Sequence, residues 1–221
     1  AVLAYALQIY FDFSGYSDMA IGCAKCMGYD LEKNFDLPYI SRNVTEFWKR
    51  WHISLSSWLQ QYLYISLGGN RKGRVRTYVN LMLTMLLGGL WHGAGMNFVL
   101  WGGLHGAALC VHKVWMRRRN RGGFGRIGQV LSVAATFVFV CLCWVFFRAE
   151  SFSTAQMVLQ KLFIWSDGIC YMYTWALAAP VLLALGTLWC AKFGRDSKGV
   201  VHGVLPQFKA GTFAGTLGFS L

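Results

Sequence analysis

From Thr77 to His112 the chain runs for 36 residues without a Lys, Arg, Asp or Glu. Basic clusters close both ends of this run: Arg71, Lys72, Arg74 and Arg76 before it, and Lys113, Arg117, Arg118, Arg119, Arg121 and Arg126 after it. Short basic loops flanking apolar runs mark the cytoplasmic side of membrane proteins. With both clusters on one side, the segment between them has to cross and return. Two arms of roughly 15 to 20 residues, at 1.5 Å of rise per residue, reach about 22 to 30 Å, barely the thickness of a bilayer core. Gly93 and Gly95 interrupt the helical period, so the bend falls near Trp91 to Asn97, and His92 sits at or just below it. An ionisable side chain held in such a setting is a functional candidate. The alternative is a neutral histidine satisfied by a backbone carbonyl.

Composition supports the membrane reading. Hydrophobic residues make up 56% of the 221 and charged residues 14%, against about 25% charged in soluble domains. The net charge of +12 would suggest nucleic acid in a soluble chain, but clustered between apolar runs it describes loop topology, and no nucleic-acid partner is expected. No basic start, short apolar core and small-residue cleavage site announces a signal peptide. The chain opens on Ala1 directly into an apolar segment, which predicts a piece of a larger membrane protein. Cys23-x-x-Cys26 has no second pair and no nearby His, so no metal site is expected. Cys141, Cys143, Cys170 and Cys190 lie in apolar runs and read as small hydrophobes.

Residues 1–29 read as a membrane helix carrying Asp12 and Asp18, with a break expected near Ser14-Gly15. Those two acids are either functional or interfacial, in the second case capping the helix or meeting Lys25. Residues 30–43 are polar, contain Pro38 and form a loop. Asn43 then offers an N-cap with Glu46 at the third helical position, and Glu46 stands four residues before Arg50, a favourable ion-pair spacing.

The helix over 44–67 is too polar to span; its Trp and Tyr content suits a helix lying at the headgroup level or re-entering the membrane. One stripe would hold Phe47, Trp51, Trp58, Tyr62 and Ile65, and the adjacent one Trp48, His52, Leu55, Leu59 and Leu63, so that His52 faces the apolar side. After the hairpin over 77–115, residues 130–147 and 168–191 read as membrane helices, the second ending at another basic loop. Gly88-Gly89 and Gly102-Gly103 allow neighbouring helices to approach closely. The last residues, 199–221, are too rich in Gly to assign.

Three histidines therefore lie in or against apolar surroundings: His52, His92 and His105. A histidine can take a proton from a hydroxyl and return one to a leaving group, which suits acyl transfer. His105 and His112, seven residues apart on one helical face, fit a structural role better. No Gly-rich phosphate loop, no Gly-x-Ser-x-Gly nucleophile elbow and no paired carboxylates on one element are present. These features describe a polytopic membrane protein with one or two proton-transfer histidines.

Several ordered motifs extend this. Tyr10-Phe-Asp-Phe-Ser-Gly-Tyr-Ser-Asp18, Asn34-Phe35, Pro38-Tyr39, the run from Ser41 through Arg-Trp-His52 to Ser56, Leu67-Gly-Gly-Asn-Arg-Lys-Gly73 and Gly89-Leu-Trp-His-Gly-Ala94 resemble the membrane-bound O-acyltransferases. The likeness is nearest to the bacterial alginate O-acetylase branch and covers about residues 5 to 115. It implies an all-α polytopic fold, with a re-entrant or interfacial amphipathic helix and a helical hairpin carrying a catalytic His. By motif, His92 would be that residue and His52 a second, supporting one. The resemblance further implies an acyl group, usually acetyl from acetyl-CoA as donor rather than bound cofactor. The acceptor would be an envelope polysaccharide, extracytoplasmic partner proteins would complete delivery, and the setting would be the lipids of the bacterial inner membrane.

Two departures stand out. Gln60-Gln61 replaces a usual Arg-Asp, and Ser66 replaces a usual Pro. The family's N-terminal membrane helices are also expected to be missing from this stretch, leaving its tunnel incomplete. The competing expectations are a membrane carrier or channel subunit in which His92 lines a conduit, and an inactive scaffold for the partner proteins.

Overall fold

The computed structural model describes residues 2–118 and 125–164, and every regular element among them is helical. The helices are α1 (Val2–Cys26), α2 (Val44–Trp48), α3 (Ile53–Trp58), α4 (Arg74–His92), α5 (Met96–Arg118), α6 (Arg126–Arg148) and α7 (Phe152–Phe163). A 3-10 turn (Pro38–Ile40) precedes α2, and a π-helical turn (Leu59–Tyr64) continues α3. The segment expected over 168–191 lies outside the described residues.

The hairpin is present as α4 and α5. Glycine makes it tight: a methyl on Gly102 would run into the Met85 carbonyl oxygen, and one on Gly89 into that of Phe98. Small residues of this kind let two helix backbones touch where side chains would hold them apart. The antiparallel pairing brings the two basic clusters to one end. There Lys113 Nζ donates to Asn70 Oδ1 at 2.7 Å, and Arg117 donates to the Tyr78 hydroxyl at 3.0 Å while its guanidinium lies 5.5 Å from that ring's centroid. The opposite end carries the bend at Gly93–Gly95, where Asn97 Nδ2 donates to the Ala149 carbonyl beyond α6 at 2.8 Å.

Among the described residues, α6 is the one helix long and apolar enough by itself to cross a membrane. At 1.5 Å per residue its 23 residues span about 34 Å. Its inner face supplies Val140, Cys141, Cys143 and Trp144 to an aromatic core completed by Ala6, Phe47, Trp51 and Trp101. Trp51 is the centre of that core: Phe47 stacks on it at 5.6 Å, while Phe35 and Trp144 approach at 5.0 Å. Edge-on and offset contacts of this kind add specificity to the area that the rings bury.

Two expectations are corrected. The break near Ser14-Gly15 is absent, and α1 runs unbroken for 25 residues. A single interior glycine costs a helix only about 1 kcal/mol, too little to interrupt one this long. Both Asp12 and Asp18 are exposed on it.

The continuous helix over 44–67 is also absent. The chain stops at Trp48, turns, and restarts at Ile53 with His52 in the left-handed region at φ 45°. That turn breaks the expected stripe: Phe47 and Trp51 are buried, whereas Trp58, Tyr62 and Ile65 are exposed. A period of 3.6 holds only while the backbone hydrogen bonds continue, and here they are redirected.

Candidate active site

His52 and His92 reach one small cavity from different elements. It measures about 30 Å³ and is lined by Ile9, Trp48, Trp51, His52, Leu55, His92, Trp101, Trp144 and Phe147. A space of that size holds about one water-sized group, and apart from the two imidazoles its walls are Trp and Phe rings with Ile9 and Leu55.

His92 is the last residue of α4, ahead of the Gly93 cap. Its ring stands edge-on to Trp101 at 5.4 Å and to Phe147 at 5.1 Å, and lies roughly parallel to Phe98 at 6.5 Å. None of the described residues hydrogen-bonds it, so aromatic contacts alone hold its orientation.

The position of His52 is built differently. Asn43 caps α2, its side chain accepting the Glu46 N–H at 2.8 Å, and Glu46 returns the favour by accepting the Arg42 N–H at 3.0 Å. Arg50 closes the helix on Glu46 at 2.9 Å. Burial alone would push the Glu46 carboxyl up, but the Arg42 N–H and the Arg50 guanidinium outweigh it and hold the group below its usual range.

Past Arg50 the backbone turns. Asp36 N–H donates to the Arg50 carbonyl and Ile53 N–H to the Asn34 carbonyl, both at 2.9 Å. This pairing fixes the His52 backbone in a conformation that costs about 1 to 3 kcal/mol and concentrates at functional sites. Its ring meets Phe13 edge-on at 4.6 Å. The turn lies outside the spanning helices, and burial first, with the charge of His92 second, pulls the His52 pKa down to about 4. The ring is therefore a neutral proton acceptor near pH 7.

His105, the third histidine, is fully buried on α5 and does not line the cavity. Trp48 Nε1–H donates to its Nδ1 at 3.2 Å, and Phe47, Trp48, Trp101 and Phe139 surround the ring. His112 sits 2.8 Å from Thr45 Oγ1, tying α5 to α2. Both act as packing residues. Gln60 and Gln61 are exposed on the π-helical turn, away from the cavity lining.

Nothing local in the sequence marks Ile9, Trp144 and Phe147 as walls of the cavity, or Asn34 and Ser54 as holders of the His52 ring. Apart from that of Ser54, two residues from His52, these contacts cross wide sequence separations, which no local period records.

The MBOAT, membrane-bound O-acyltransferase family model matches residues 1–153. The chain is 52% identical over 165 residues to a Pseudomonas syringae pv. tomato protein named "Probable alginate O-acetylase AlgI", covering 75% of this chain and 31% of that one. It is 48% identical over 158 residues to the peptidoglycan O-acetyltransferase of Helicobacter pylori, covering 72% and 30%. It is 28% identical over 158 residues to the teichoic acid D-alanyltransferase of Bacillus subtilis, covering 67% and 40%. The chain thus spans about a third of the length of the first two relatives.

Proposed function

Since the chain belongs to the membrane-bound O-acyltransferase family, we infer that it is the histidine-bearing part of an enzyme moving an acetyl group from cytoplasmic acetyl-CoA toward hydroxyls of an envelope polysaccharide. The observation that supports this reading most is the convergence of His52 and His92 on one cavity. Relatives named for O-acetylation of alginate and of peptidoglycan support the acyl group and the acceptor class.

In this reading His92 is the general base. It takes the proton of an acceptor hydroxyl while that oxygen bonds to the acetyl carbonyl carbon. The thioester C–S bond then breaks, and the departing thiolate takes the proton back from His92, leaving the base ready for the next cycle. His52 shares or orients that proton across the cavity. The aromatic walls exclude the water that would otherwise hydrolyse the thioester. The enzyme works as a multi-pass protein of the bacterial inner membrane, with its basic end in the cytoplasm, and extracytoplasmic proteins complete delivery to the sugar. The basic end serves topology first and attraction of the donor's phosphates second.

Reconstitution into lipid vesicles tests the reading, with labelled acetyl-CoA on the basic side and an O-deacetylated polysaccharide such as alginate, with its extracytoplasmic partners, on the other. The expected result is label ester-linked to the sugar, lost in His92→Gln. Flux of unchanged substrate, with no new ester, would make the protein a carrier instead.

A further inference from the structure

We propose that Asn34 is a positioning residue for His52: its side-chain oxygen holds the ring's Nδ1–H and so leaves Nε2 as the nitrogen free to take a proton. The proposal deepens the reading of His52 as the supporting base and rests on it.

The orientation of the Asn34 amide is fixed by its neighbours. Ser54 backbone N–H can only donate, and it lies 3.1 Å from Oδ1. The Ser54 hydroxyl donates to the same oxygen at 3.0 Å, and on the other side Nδ2 donates to Ser17 Oγ at 3.2 Å. The atom facing His52 is therefore an oxygen, which accepts and cannot donate. His52 Nδ1 lies 3.2 Å from it. A hydrogen bond at that separation needs a proton, and the ring must supply it. A neutral imidazole carries one N–H, so with the proton on Nδ1 the lone pair falls on Nε2.

Asn34 also holds the ring in space. Its carbonyl accepts Ile53 N–H at 2.9 Å, its amide reaches the buried Ser17 on α1, and its oxygen satisfies an N–H in the first turn of α3. The loop, α1 and the left-handed turn at His52 thus meet on one side chain. His92, in contrast, has no such partner among the described residues. The two imidazoles of the cavity are unequal: one has its tautomer fixed by a neighbour, and the other is free to exchange protons at either nitrogen.

The groups that face His52 are few. From α4 comes His92; from α1 comes the uncharged Phe13; the flanking loop carries Asp36, which Arg50 approaches at 3.8 Å and Lys33 at 2.9 Å. A negative charge placed at Asn34 would be the nearest one to the ring.

The test uses the full-length protein in lipid nanodiscs, with 15N-labelled histidine and the His52 signal identified by its loss in His52→Gln. In the unaltered protein the expected spectrum has the proton on Nδ1. In Asn34→Asp the carboxylate keeps every acceptor contact and adds a charge, so the His52 titration midpoint rises by about one pH unit or more. Ser54→Ala removes only the hydroxyl 3.3 Å from Nδ1 and leaves the tautomer in place. In acetyl transfer, Asn34→Leu lowers kcat about tenfold with KM unchanged, and Asn34→Asp moves the acid limb of the pH profile upward. A His52 ring with its proton on Nε2, or a midpoint unmoved in Asn34→Asp, would overturn the proposal. If no acetyl transfer is seen even without substitution, the functional reading fails, while the spectra still decide the role of Asn34.

Discussion

His92 and His105 both stand edge-on to Trp101, at 5.4 Å and 5.0 Å, and yet they occupy opposite kinds of site. His105 is sealed, with Nδ1 taken by the Trp48 indole and aromatic rings on every side. His92 ends its helix at the bend, borders a cavity and gives its nitrogens to no partner among the described residues. The uncharged run that holds both residues does not distinguish them. Access does: a proton acceptor has to meet a reactant, and of the two residues it is His92 that borders an open space.

The largest expected effect lies at the sealed site. His105→Ala removes a fully packed ring and leaves the Trp48 N–H without an acceptor, for an expected loss of about 2 to 5 kcal/mol. Thermal unfolding in detergent reads that loss. The activity of each molecule that remains folded should stay within a few fold of normal. A loss of rate at undiminished stability would show that His105 acts in the chemistry.

Gly102→Ala attacks the frame instead. The added methyl meets the Met85 carbonyl oxygen, which belongs to backbone and cannot swing aside. Separating α4 from α5 at this point should cost about 1 to 3 kcal/mol and displace His92 from the cavity. The rate per folded molecule should fall together with the melting temperature, unlike in His105→Ala. Gly15→Ala on α1, where nothing lies within 4 Å of the new methyl, is the control, and its melting temperature should hold or rise.

A smaller effect sharpens the His52 side. The Glu46 carboxyl is held below its ordinary value of 4.5, so its contribution to stability is fully present above that pH. The contribution fades as pH drops through the lowered folded value, where the carboxylate takes up its proton. Glu46→Gln should therefore cost about 0.5 kcal/mol near pH 7 and progressively less as the pH is taken down from 7 to well below 4.5. Melting curves across that range would show the two proteins converging as acid is added. Parallel curves would mean that Glu46 does not brace the turn electrostatically.

How much of this could be read from the residues differs by element. The hairpin was legible because its boundaries are written in charge: two basic clusters, an uncharged run and two glycines at the bend. The Asn43 cap with Glu46 and Arg50 was legible because its whole pattern lies within eight residues. The turn at His52 was not, because non-glycine residues take positive φ only when tertiary contacts compel it. Those contacts come from Asn34 and Asp36, well upstream. Periodicity therefore carried one helix straight through 44–67 and aligned Trp58 and Tyr62 with Phe47, though the turn sends them to the surface. Both site histidines are legible in the sequence, but their supports are not. A histidine in an apolar run is visible on its own, whereas the asparagine that orients it sits in a polar loop where asparagine is ordinary.

The most direct test sets His92→Gln beside His105→Gln in the same vesicles and measures acetyl transfer per folded, inserted molecule. General-base catalysis is worth about 10² to 10⁴-fold. His92→Gln should therefore lose at least about a hundredfold while His105→Gln stays within a few fold of the unaltered protein. A His92→Gln protein that transfers acetyl at the unaltered rate, or equal losses in the two variants, would contradict the account.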